Sequence, residues 1–246
     1  MNNINMAFLL TFVAGFSTLI GTIPIFLNVK NENHVICASL AFASGVMFSV
    51  SILDLIPEAF HMLNNCNSII MIILIFIFIL IGIFCSYFID YIFSNKYNYN
   101  LYKIGVISML AIVLHNIPEG IITFISTSKD IKLGISLAIA IALHNIPEGI
   151  SISIPIYYST KSRLMAFGYT LISAISEPLG AVITYLFLYK YINNFILGLL
   201  FSMIVGIMIQ ISLCELIPTS KEYKLYSVTN IFFIIGVILM IINILF

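Results

Sequence analysis

Apolar residues run along this chain in eight long stretches, and short polar clusters separate them. A helix needs about 20 apolar residues to cross the hydrocarbon core of a bilayer, and each stretch reaches that length. The pattern predicts membrane spans at residues 6–28, 35–62, 68–93, 103–127, 132–158, 163–189, 195–219 and 227–246. Turn and charge signals mark the connections: Lys30 to Asn33, Asn64 to Asn67, Ser94 to Lys103, Ser128 to Asp130, Ser159 to Arg163, Lys190 to Asn194, and Ser220 to Lys224. The expected fold is an all-α polytopic membrane protein, with one transmembrane domain over residues 1–246. Eight spans put both termini on one side. Lys and Arg favour cytoplasmic connections. The odd-numbered connections hold seven of them (Lys30, Lys96, Lys103, Lys161, Arg163, Lys221, Lys224), against three in the even-numbered ones (Lys129, Lys132, Lys190). Both termini are therefore expected outside.

Composition narrows the picture. The chain is 61% hydrophobic and 8% charged, with a mean hydropathy of +1.15, whereas soluble domains carry about 25% charged residues. No polar stretch is long enough for a soluble domain. Net charge is zero and no basic block occurs, which argues against nucleic acid as a partner. Cys37, Cys66, Cys85 and Cys214 are scattered, form no CxxC pair, and read as small apolar fillers. No Lys or Arg precedes the first apolar run, so that run reads as the first span rather than a cleaved signal peptide.

Two internal repeats stand out. Residues 111–121 match residues 140–150 at ten of eleven positions, and both contain Leu-His-Asn-Ile-Pro-Glu-Gly-Ile. A second repeat joins spans 2 and 7: Gly45, Met47, Ser51, Asp54 and Leu55-Ile56-Pro57 recur as Gly206, Met208, Ser212, Glu215 and Leu216-Ile217-Pro218. Even- and odd-numbered spans run in opposite directions. The repeats therefore predict an inverted 3+2+3 arrangement, spans 1–3 against 6–8 around a central 4–5 pair. Inverted repeats with midplane sites and broken helices mark secondary transporters.

The repeated octapeptide carries the candidate chemistry. Ionisable groups inside a membrane cost roughly 2.5–3.5 kcal/mol each on insertion scales. His115 and Glu119 are i and i+4, as are His144 and Glu148, so each pair shares a helix face. Asn116 and Asn145 turn about 100° away and offer amide oxygens. Pro118 and Pro147 cannot donate to the carbonyls of Leu114 and Leu143, so kinks and free acceptors are expected there. Two facing clamps of imidazole, carboxylate and amide suit a borderline ion such as Zn2+, or Fe2+, Mn2+, Co2+ and Cd2+, and differ from an all-oxygen Ca2+ or Mg2+ site. Glu177, in Ser173-Ala-Ile-Ser-Glu177-Pro178, adds a third mid-span acid. Asp54, Glu58 and His61 share one face of span 2 and read as an outer vestibule. Glu215 reads as an exit ligand. Met47 and Met208 read as packing, and Asp90 and His34 as ordinary interfacial residues.

At these residues the chain resembles the ZIP (Zrt-, Irt-like) family of divalent-metal uptake transporters, and within it the compact bacterial zinc-uptake branch. The matching marks are His115-Asn116-x-x-Glu119, His144-Asn145-x-x-Glu148, Ser176-Glu177-Pro178, Asp54-Leu-Ile-Pro-Glu58 and Glu215-Leu-Ile-Pro218. The resemblance implies a two-metal site. His115, Glu119, His144 and Glu148 would form one position. Asn116, Asn145 and Glu177 would form the other, bridged by Glu119 and Glu148. It further implies metal uptake into the cytoplasm by elevator-like alternating access, a multi-pass place in the cell membrane, Zn2+ as transported substrate and a homodimer. The His-rich loop that many members carry between spans 3 and 4 is missing, since residues 94–103 contain no His. The His-Glu-x-x-His-Glu of many animal members is also absent from span 5.

Two other readings stay open. An intramembrane metalloenzyme would use similar helical His/Glu clusters, although no HExxH and no paired ExxH occurs, and the chain is not expected to be an enzyme. A proton-coupled carrier of an organic substrate would use His and Glu as a proton relay, and its activity would survive chelation.

Overall fold

The computed structural model describes residues 3–27, 30–65, 67–94, 101–188 and 193–245. Among them are eight helices long and apolar enough to cross a membrane: α1 (Asn3–Phe26), α2 (Glu32–Met62), α3 (Ser68–Ile92), α4 (Leu101–Lys129), α5 (Ile131–Thr160), α6 (Arg163–Phe187), α7 (Asn194–Glu222) and α8 (Tyr226–Asn243). A helix satisfies its backbone internally, as lipid requires. Polar side chains fix several starts. Asp130 accepts from the Lys132 amide, Ser162 from that of Met165 and Asn193 from that of Ile196, each occupying an otherwise orphaned donor. Lys161, at φ 54°, ends α5 in the left-handed conformation. Cys66 and most of the connections at 94–103 and 190–194 lie outside the described residues.

The chain gathers into two compact units, residues 1–28 with 108–191, and residues 29–107 with 192–246. The 3+2+3 order along the chain is thus regrouped in space: α1, α5, α6 and most of α4 form the first unit, and α2, α3, α7 and α8 the second.

In the second unit, glycines set the helix crossings. A Cβ on Gly45 of α2 would lie 2.2 Å from the Phe233 carbonyl oxygen of α8, and one on Gly236 would lie 2.4 Å from that of Phe42. α3 and α7 cross in the same way. The Gly82 position meets Met203 O at 1.9 Å and Gly206 meets Ile79 O at 2.1 Å. No side chain larger than hydrogen fits there, so these helices approach to backbone contact. Ser44 and Ser212 bind each other's carbonyls at 2.9 Å, which ties α2 to α7. The 2/7 repeat survives in detail, because Ser51–Leu55 and Ile211–Leu216 are both wide π-helical turns and hold Asp54 and Glu215. Pro57 and Pro218 stand two residues beyond these turns. Such turns are frequent at functional sites. Only 11% of the apolar window of α3 and 17% of that of α8 is buried, so these helices present most of their apolar surface outward.

One expectation is corrected here. Asp90 is no ordinary interfacial residue: it pairs with Lys103 at 2.6 Å, and Lys103 is 2% exposed. Lys103 belongs to the first turn of α4 rather than to a loop, because the helix starts at Leu101. His34 is exposed at the start of α2. Met47 and Met208 are buried.

In the first unit, α4 and α6 cross at Gly120 and Gly180, and α1 and α5 at Gly21 and Gly149. α4 and α5 run unbroken through Pro118, Pro147 and Pro155, so the prolines do not end either helix.

Candidate metal centre

All seven residues expected in the centre belong to the first unit, and each is between 0 and 4% exposed. α4 supplies His115, Asn116 and Glu119, α5 supplies His144, Asn145 and Glu148, and α6 supplies Glu177. The two clamps do not stay separate. His115 Nε2 lies 3.0 Å from Glu119 Oε1 within its own helix and 3.5 Å from Glu148 Oε1 on α5. His144 Nε2 reaches across to the same Glu119 oxygen at 3.1 Å. The imidazole ring centroids are 6.1 Å apart. Ligand atoms of His115, Glu119 and His144 all fall within 4.8 Å of one another. Two atoms bound at about 2.0–2.1 Å to one tetrahedral ion stand roughly 3.3 Å apart, so the spacings of the Glu119 oxygen match a shared ion.

The asparagines turn to a different side, as one helical step dictates. Asn116 donates to Ser173 O at 3.4 Å. Asn145 donates to Ala14 O at 3.0 Å and to Glu177 Oε2 at 2.9 Å. With their nitrogens so engaged, both amides direct Oδ1 elsewhere, and neither oxygen meets a donor. The same is true of Glu119 Oε2, both Glu148 oxygens and Glu177 Oε1. Burying an acceptor without a partner costs about 1–3 kcal/mol, and more for a charged group. Six such oxygens beside two imidazoles do not make a hydrogen-bond network complete in itself, and their chemistry could hold a cation.

The other expected residues lie in the second unit. Asp54 and His61 are exposed on α2, Glu58 is half-buried, and the charges of Asp54 and His61 act on Glu58. Glu215 is half-buried on α7 and feels the charges of Asp90 and Lys103. Sequence reasoning missed the part played by α1, which has no ionisable residue yet supplies Ala14 O to Asn145. A signal was present: Ser17 and Gly21 of α1 recur 159 positions later as Ser176 and Gly180 of α6.

Comparison with known proteins fits this geometry. A family profile described as ZIP Zinc transporter matches residues 4–100 and 96–244. A protein named zinc transporter ZupT from Clostridium perfringens is 37% identical across an alignment of 276 residues that covers all of this chain and 97% of that protein. ZupT of Oceanobacillus iheyensis is 37% identical, with 91% of each chain aligned. ZupT of Streptococcus mutans is 36% identical, with 97% of this chain and 96% of its own aligned. With eight membrane-spanning helices and full-length similarity to these proteins, the chain is a multi-pass membrane protein that belongs to the ZIP zinc transporter family.

Proposed function

We propose that this protein imports divalent metal ions, Zn2+ foremost, through the cell membrane into the cytoplasm by alternating access. Residues 1–246 act as one transporter domain with both termini outside. The observation that carries this reading is the buried group of two imidazoles and six acceptor oxygens without donors. In this reading His115, Glu119, His144 and Glu148 hold one ion. Asn116, Asn145 and Glu177 hold a second, bridged by Glu119 and Glu148. Asp54, Glu58 and His61 collect the hydrated ion, and Glu215 receives it on the way out. Fe2+, Mn2+, Co2+ and Cd2+ suit the same nitrogen and oxygen donors. Assembly as a homodimer belongs to the same proposal and follows from the family resemblance; crosslinking in native membrane tests it.

The chemistry of transport is ligand exchange. The imidazoles must be neutral and the carboxylates ionised to bind metal. The centre replaces the water shell of the ion with nitrogen and oxygen ligands already held at the right spacing. The decisive test is radiotracer Zn2+ uptake into proteoliposomes by wild type and by Glu119→Ala plus Glu148→Ala. Saturable uptake lost in the double variant supports the reading. Well-folded wild type without uptake refutes it and returns weight to the enzyme and organic-carrier readings.

A further inference from the structure

The metal centre repeats itself around α1 and α6. Ala14, Ser17, Thr18 and Gly21 of α1 stand 159 positions before Ser173, Ser176, Glu177 and Gly180 of α6, while α4 and α5 repeat at 29. Contacts obey that register in three places. Asn145 donates to Ala14 O at 3.0 Å, and Asn116 donates to Ser173 O at 3.4 Å. A Cβ on Gly149 would lie 1.9 Å from Thr18 O, and one on Gly120 would lie 2.0 Å from Glu177 O. A Cβ on Gly21 would lie 2.5 Å from Ile146 O, and one on Gly180 would lie 2.2 Å from Ile117 O. The helices of the centre are therefore related by an internal two-fold, and each residue on one side has a counterpart on the other.

That symmetry breaks at one functional position. α6 places Glu177 against Asn145, whereas the register gives α1 Thr18 at the counterpart position. Thr18 is fully buried. Its hydroxyl donates to Gly15 O at 2.7 Å, which leaves the oxygen lone pairs as acceptors. Asn116 Oδ1 is buried without a donor.

We propose that Thr18 is a further substrate-binding residue, which with Asn116 forms a neutral half-site opposite the charged half-site of Asn145 and Glu177. The proposal rests on the metal-transport reading. Hydroxyl and amide oxygens hold a divalent cation through dipoles alone, and a carboxylate adds a full charge. The ion is held tightly on the Glu177 side and loosely on the Thr18 side. With three carboxylates (Glu119, Glu148 and Glu177) the centre neutralises one dication fully and a second only in part.

The test moves the carboxylate across the two-fold. Zn2+ affinity of the purified full-length protein is measured by titration calorimetry, with thermal melting as the check on folding. Glu177→Gln is expected to weaken binding about tenfold or more. Adding Thr18→Asp, close to threonine in volume, recovers most of that loss. Adding Thr22→Asp, one turn along α1 and off the two-fold position, does not. Thr18→Val alone, which keeps the shape and removes the oxygen, weakens binding. Equal recovery by Thr22→Asp overturns the proposal, as does no recovery by a Thr18→Asp chain that melts like wild type. Should Thr18→Asp fail to fold, Thr18→Val decides, and unchanged affinity overturns the proposal. Wild type that binds no Zn2+ overturns the transport reading and the half-site with it, whereas binding without recovery overturns the half-site alone.

Discussion

Gly120→Ala tests whether helix packing holds the proposed metal centre in register. The added methyl would sit 2.0 Å from the Glu177 carbonyl oxygen and 2.8 Å from its carbonyl carbon. A carbon–oxygen contact is comfortable from about 3.3 Å, so α4 and α6 must separate by roughly 1.3 Å. The neighbour is backbone, and no flexible side chain can yield. Overpacking of this kind costs about 1–3 kcal/mol. The displaced backbone is that of Glu177 itself, and misplacing a functional group by about 1 Å costs on the order of 100-fold in rate. Proteoliposome Zn2+ uptake should therefore fall by at least tenfold, and the melting temperature should drop. Gly168→Ala is the control, because nothing lies within 4 Å of its Cβ position, and both readouts should stay at wild-type values. Wild-type uptake and melting in Gly120→Ala would show that α4 and α6 adapt freely, and would sink the argument that glycine contacts position Glu177.

Three further outcomes are expected. Asn145→Ala removes two hydrogen bonds, one of them to a carboxylate, and should lower uptake and melting temperature more than Asn116→Ala, which removes one long bond; equal effects in paired melts and uptake assays would contradict this. Lys103→Met removes the Asp90 ion pair and should destabilise by about 1–3 kcal/mol, with much of the loss recovered by adding Asp90→Asn; a double variant that melts no higher than Lys103→Met would count against the pair. On the proposed ligand set, uptake should decline as the medium is acidified, because protons would compete with metal for His115, His144 and the three glutamates; a tracer assay across pH at constant free Zn2+ would refute this if uptake rose in acid.

Much of this protein is legible without coordinates. The eight apolar runs predict the eight helices to within a few residues, because the thickness of the bilayer and the rise of the helix set their length. His115 with Glu119 and His144 with Glu148 follow from i, i+4 spacing, which is a property of one helix. The acids of the 2/7 repeat were equally visible, although no local rule foretold the π-helical turns that carry them.

What the sequence could not decide is which helices touch. α2 lies on α8 and α3 on α7 through Gly45, Gly236, Gly82 and Gly206, yet nothing local separates these glycines from Gly168, which meets no neighbour. The reach of His144 to Glu119, the burial of Lys103 beside Asp90 and the role of the Ala14 carbonyl likewise appear only in three dimensions. Spacing along a helix is covalent geometry and is written in the chain. Contact between helices depends on the shapes of two surfaces at once, and in an apolar chain many pairings share the same hydrophobicity. The tertiary structure selected the pairing in which Gly45, Gly82, Gly120 and Gly149 face backbone and the buried His, Asn and Glu side chains of α4, α5 and α6 come together.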